Sequence, residues 1–192
     1  MTLSSAVIES ILQAVYESGE AIMEVQSRIG GVEASLKADN SPVTEADIAA
    51  HRIINKVLEP TGFPVLSEEG HHPDFANRKD WETLWVVDPL DGTTNFMHGI
   101  PHFAISIALE RDGKLTAGVV YNPITDELFH AERGQGAFYQ HGRLRVAGRT
   151  ALSDAVLACG APHGERAGRP EFITEMQTLL PKVAGIRRFG AA

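Results

Sequence analysis

Apolar positions near the start of the chain recur at helical intervals. Val7, Ile8, Ile11, Leu12, Val15, Ile22 and Val25 share one side of a 3.6-residue period, with Glu9, Glu17, Glu20 and Glu24 between them. This predicts an amphipathic helix over residues 5–28, and Gly30-Gly31 is expected to end it. Residues 32–42 are polar and read as a loop or short hairpin finishing at Ser41-Pro42, with Lys37 as a solvated cation. From Thr44 a second helix carries Ile48, Ile53, Ile54, Val57 and Leu58 until Pro60 stops it. The period then changes. Phe63-Pro-Val-Leu66 reads as a short strand, residues 71–82 as a polar connector, and Leu84-Trp-Val-Val87 as a strand buried on both faces. Phe103–Leu109 and Leu115–Tyr121 read as strands joined across Asp112-Gly113, a pair suited to a tight hairpin. Leu128–Ala131 and Gly136–Tyr139 form a second pair, Leu144–Val146 and Val156–Cys159 follow as strands, and residues 170–180 as a helix. Helices first, then an antiparallel meander, then an incipient α/β section predict an α+β fold. An N-terminal α+β domain, with two helices on an antiparallel sheet, is expected over 1–147, and the start of a second, α/β domain over 148–192.

Composition narrows the classes. A chain of 192 residues can bury a core without staples. Its net charge of −8 argues against nucleic-acid binding, which needs a basic face, and is compatible with divalent-cation chemistry. The single cysteine, Cys159, permits no internal disulfide, and its apolar surroundings suggest a buried small residue. Residue 1 onward carries no basic segment followed by an apolar one, so no signal peptide is read. No run of 18 apolar residues exists, so no membrane span is expected, and the cytoplasm is the expected compartment.

The densest chemistry lies in Trp85-Val-Val-Asp-Pro-Leu-Asp-Gly-Thr-Thr-Asn-Phe96. A buried strand delivers Asp88, and three residues on Asp91 precedes Gly92, Thr93 and Thr94. Two carboxylates around a fixed proline suit divalent cations, and a Gly-Thr-Thr turn offers amides and hydroxyls to a phosphate. A bare turn, with Asp91 as a helix cap, is the plainer alternative. Ser67-Glu68-Glu69-Gly70, at the end of a short strand, places two mutually repelling carboxylates where a cation or solvent would relieve them, as metal ligands or as a plain solvated loop. Thr44-Glu-Ala-Asp47 resembles a capping box with Asp in place of Glu, and Asp47 is free to orient a hydroxyl or water as well. His71, His72, His98 and His102 lack zinc-site spacing and are assigned no metal role. Gly134-Gln-Gly136 reads as a turn, Phe96 and Met97 as packing, and no serine has a nucleophile-elbow context.

Together, Glu68-Glu69 and the segment from Trp85 to Phe96 resemble the inositol monophosphatase superfamily of lithium-sensitive, Mg²⁺-dependent phosphatases. The resemblance implies the layered α/β sandwich shared with fructose-1,6-bisphosphatases. It implies two or three Mg²⁺ ions held by Glu68, Asp88, the Leu90 carbonyl and Asp91. Asp47 and Thr93, with Glu68, would be the catalytic residues, the first two positioning the attacking water. Gly92, Thr93 and Thr94 would contact the substrate phosphate. Phe189-Gly-Ala-Ala192 resembles the start of a substrate-contacting segment, which adds Gly190, Ala191 and Ala192 to the expected substrate side.

The stretches Leu36–Asp47 and Pro64–Glu69 are similar to 3′(2′),5′-bisphosphate nucleotidases, whereas Thr93–Ile107 is similar to inositol monophosphatases. An inositol monophosphate or similar polyol phosphate is therefore the expected substrate, and adenosine 3′,5′-bisphosphate the alternative. The family's Trp-Asp-x-Ala-Ala-Gly motif does not occur in these residues. The expectation is therefore that most of the C-terminal α/β half is absent from these residues. The chain is then either a fragment or a shortened protein whose second metal is poorly held, with an inactive binding or regulatory module as the outcome of another class. A homodimer is expected.

Overall fold

The computed structural model describes residues 5–28, 34–36, 42–161 and 168–192. Gly30, Gly31, Lys37 and Ser41 lie outside the described residues, and with them the expected helix stop and loop cation. The chain divides into two units, Met1–Leu144 with Ala191–Ala192, and Arg145–Gly190.

In the first unit, helices α1 (Ser5–Gln26) and α2 (Glu45–Leu58) pack against a sheet. Between them a small antiparallel pair forms from β1 (Ala34–Leu36) and β2 (Pro42–Thr44). The sheet has seven strands in sequence order: β3 (Val65–Ser67), β4 (Thr83–Asp91), β5 (Ala104–Arg111), β6 (Lys114–Asn122), β7 (Glu127–Glu132), β8 (Gly136–Tyr139) and β9 (Gly142–Arg143). Strand alternation selects the core: Ile105, Ile107 and Leu109 of β5 are fully buried. They join Trp85 and Val87 of β4, Ile11, Val15 and Ile22 of α1, and Ile54 and Leu58 of α2. The Trp85 indole N–H is satisfied by Thr61 Oγ1 at 3.0 Å. Phe96 and Phe103 meet edge to face with centroids 5.2 Å apart, so Phe96 packs as expected.

Several elements differ from the expectation. The sheet is mixed, because β3 runs parallel to β4 while every other pairing is antiparallel. A parallel neighbour needs a crossover rather than a hairpin, and residues 68–82 supply it. That connector also contains a one-turn helix, α3 (Phe75–Arg78). Strand β4 does not end on Asp88 but continues through Pro89 to Asp91, and its Val86 is only half-buried. The expected strand Leu144–Val146 does not form. Gln140 takes a left-handed conformation (φ 52°), turning the chain directly after Tyr139, so pairing starts at Tyr139↔Gly142 and its last backbone bond is Leu144 N–H to Ala137 O at 2.8 Å.

In the second unit, β10 (Val156–Ala158) and β11 (Gly185–Arg187) pair in parallel, with α5 (Arg169–Leu179) between them in sequence. Strand β11 has no counterpart in the hydrophobic pattern, and no described residue of this unit is fully buried. Cys159 is half-buried rather than buried.

Candidate active site

Strand β4 delivers the central acids through a local irregularity. Asp88 stands opposite Ser106 and Asp91 opposite Ala104, so three steps on β4 match two on β5. In a regular strand, side chains three positions apart point to opposite faces. The extra residue restores a common side, which is the geometric use of a bulge. Pro89, which has no N–H to give a ladder, sits inside it. Leu90 N–H donates to Asp88 Oδ1 at 3.1 Å, fixing that carboxylate on its own turn.

Glu68 reaches the same neighbourhood from the end of β3, its N–H bonded to Val87 O at 3.0 Å. The charges feel one another. Burial, then Glu68, then Asp91 push the Asp88 carboxyl up to about 7 against the Leu90 N–H. Burial likewise raises Asp91, opposed first by the Ala192 amide that donates to its Oδ2. Among the described residues no three His, Cys, Asp or Glu side chains are gathered tightly enough to hold a metal ion as they stand. The acids surround the bulge as repelling neighbours. An all-oxygen, anionic donor set of this kind fits a hard divalent cation and no soft one.

After Asp91 the chain turns at Gly92 (φ 95°) into the five-residue helix α4 (Thr93–Met97). A Cβ on Gly92 would lie 2.8 Å from Ala191 Cβ and 3.2 Å from both His102 O and Phe103 Cβ. Thr93 Oγ1 lies 3.0 Å from Asp47 Oδ1 and 3.1 Å from Leu90 O, either of which accepts its proton. Asp47 is 1% exposed. Its Oδ2 accepts from Thr44 N–H at 2.7 Å and from Thr44 Oγ1 at 2.6 Å, and Thr44 Oγ1 accepts from Ala46 N–H. The capping box is present with Asp at its third position. Burial raises the Asp47 carboxyl above the ordinary range, and the bonds from Thr44 and Thr93 oppose it.

Asp47, Glu68, Leu90, Asp91, Gly92, Thr93, Ala191 and Ala192 thus lie in the first unit, and Thr94 is exposed at the start of α4. Gly190 belongs to the second unit. Two features had no signal in the motifs. Asn95 is buried and donates to His102 O at 2.7 Å, pinning the loop after α4. Ser67, also buried, bonds His51 Nδ1 at 2.8 Å. The second was detectable in principle, since His51 follows Asp47 by four residues and shares its helix face.

This arrangement has counterparts. The family model described as "Inositol monophosphatase family" matches residues 4–192. The chain belongs to the inositol monophosphatase family. It is 46% identical to an inositol-1-monophosphatase of Rhizobium meliloti, over 98% of this chain and 70% of that one. A Nus factor SuhB of Pseudomonas aeruginosa is 39% identical over 94% of this chain and 68% of its own length. The crystal structure of extragenic suppressor protein suhB from Bartonella henselae superposes with a TM-score of 0.89 at 44% identity, covering 98% of this chain and 72% of that one. The α+β layered fold and the phosphatase class expected from the motifs stand with these relatives. Among the described residues, no helix is long and apolar enough to cross a membrane.

Proposed function

We propose that this chain is a Mg²⁺-dependent phosphate monoester hydrolase acting on an inositol monophosphate or a similar small polyol phosphate. The observation that carries it is the bulge that turns Asp88 and Asp91 toward Glu68, beside a Thr93 already bonded to buried Asp47. Glu68, Asp88, Asp91 and the Leu90 carbonyl would hold two or three Mg²⁺ ions. The chemistry a bound Mg²⁺ supplies is acidification of a water and stabilisation of charge on the leaving oxygen.

The protein groups have their own tasks. With its proton given to Asp47, Thr93 Oγ1 keeps lone pairs to accept from a water and so orient it. Asp47, raised by burial, is better placed to take up proton density than an exposed carboxylate. Backbone N–H groups of Gly92, Thr93 and Thr94 would steady the phosphate oxygens as water adds to phosphorus and the ester P–O bond breaks. Ala191 and Ala192, and Gly190 from the family resemblance, belong to the proposed substrate side. Lithium sensitivity and a homodimer in the cytoplasm complete the proposal.

Phosphate release from inositol 1-phosphate and from adenosine 3′,5′-bisphosphate, with and without Mg²⁺, tests it. Mg²⁺-dependent release favouring the inositol ester is expected. A strong preference for the nucleotide selects the nucleotidase reading instead. No release from either, unchanged by Asp88→Asn, leaves a binding or regulatory module.

A further inference from the structure

Ser67, immediately before Glu68, is held from three directions. Its hydroxyl bonds His51 Nδ1 on α2 at 2.8 Å. Its carbonyl accepts from His72 Nε2 at 2.8 Å and from Gly70 N–H at 2.9 Å. His51 is itself braced, because Asn55 Nδ2 donates to the His51 carbonyl at 2.8 Å and lies 3.2 Å from its ring nitrogens. The turn closes tightly over the ring: a Cβ at Gly70 would sit 3.4 Å from His51 Cε1 and 3.2 Å from Ser67 O. Strand β3 is only three residues long and lies at the sheet edge, with β4 as its one sheet neighbour, so the contacts around Ser67 supply the rest of what fixes its end. The same helix that carries Asp47, bonded to Thr93, carries His51 one turn later. Residues at i and i+4 lie one above the other on a helix face.

We infer that His51, through Ser67, is a positioning residue that fixes the end of β3 so that Glu68 stands at the right distance from Asp88 and Asp91. Helix α2 then spaces both halves of the site, with Asp47 holding Thr93 after β4 and His51 holding Glu68 after β3. This rests on the proposed role of Glu68 as a metal ligand. Removing His51 leaves the end of β3 to its strand partner and its own turn and cuts the Ser67 tie to α2, so Glu68 gains freedom relative to the helix that carries Asp47. Losing such outer support weakens metal affinity by about 10–100-fold in metalloproteins.

The test is direct Mn²⁺ binding, followed by the paramagnetic signal of the free ion, on the full chain and its His51→Ala, Ser67→Ala, His51→Gln, Glu68→Gln and His51→Ala/Glu68→Gln variants. Circular dichroism checks that each is folded. His51→Ala and Ser67→Ala are expected to weaken Mn²⁺ binding about tenfold. His51→Gln, which keeps a hydrogen-bonding group, should recover most of the loss. In the Glu68→Gln background, His51→Ala should have no further effect, because the group it positions has gone. A merely structural histidine would weaken both backgrounds alike, and that result overturns the inference, as does parental affinity in His51→Ala. Unchanged Mn²⁺ binding in Glu68→Gln alone would instead remove Glu68 from the metal site, and the positioning role with it.

Discussion

At the scale of single residues, the decisive pair is Asp47 with Thr93, two side chains 46 positions apart joined by one 3.0 Å bond. Thr44 saturates one oxygen of Asp47, which leaves the other for Thr93 and fixes the direction of that hydroxyl. Thr93→Ala removes the proposed water-orienting group while leaving the capping box intact. It should lower kcat about 100-fold, in the range of a lost proton-transfer partner, and also cost about 1–3 kcal/mol of stability, because a buried Asp47 oxygen loses its partner. Thr93→Ser should restore most of the activity, since the hydroxyl is what matters. Steady-state rates at saturating Mg²⁺, beside thermal melts, check both. A Thr93→Ser variant that regains stability but not rate would take the water-orienting task away from the hydroxyl.

At the scale of elements, the bulge and the turn after it create the site, and they show where a sequence stops being readable. The motif Asp88-Pro-Leu-Asp91-Gly92 announced acids and a glycine, and the apolar run before it announced a strand. The register shift was not legible, because an extra residue in one strand is defined only against its partner, Ser106 and Ala104 on β5. For the same reason β3 was visible as a short strand but its parallel pairing was not. The Asp112-Gly113 hairpin was legible, since both residues need positive φ and take it, at 51° and 68°. By contrast, β11 is a three-residue strand in a unit where no described residue is fully buried, so no apolar period marks it.

Gly92 is the place where the element is most exposed to substitution. Its φ of 95° disfavours any side chain, and an added methyl would press on Ala191 Cβ at 2.8 Å. Gly92→Ala is expected to cost about 2–3 kcal/mol. A denaturant midpoint unchanged by that substitution would show that the turn relaxes freely. Ile54→Ala, which empties a fully buried position where α2 meets the sheet, should cost about 2–5 kcal/mol without the geometric specificity of Gly92.

At the scale of the whole molecule, the site gathers mutually repelling carboxylates that the proposed cations would relieve, and global stability would report both. Burial and the charges of Glu68 and Asp91 hold the Asp88 carboxyl at about 7, against an ordinary 3.8. Folded protein therefore binds this proton more tightly than unfolded protein. The stability that follows is complete below pH 3.8 and is lost as pH rises through about 7. Without metal at pH 8 Asp88 is ionised and unfavourable, so Asp88→Asn should melt higher than the parent. The gain is on the order of 1–2 kcal/mol after allowing for solvent screening, or about 2–8 °C in a chain of this length. Asn keeps an oxygen for the Leu90 N–H, so the turn survives. Saturating Mg²⁺ or Mn²⁺ reverses the order. A cation at about a hundred times its dissociation constant stabilises the parent by about 2.7 kcal/mol, and a variant lacking one anionic ligand gains less. Paired melts of parent and Asp88→Asn, in chelator and in excess Mn²⁺, should therefore cross. A variant that melts below the parent in both conditions would mean that Asp88 contributes packing rather than charge. One that melts above it in both would mean that no cation is held at this bulge.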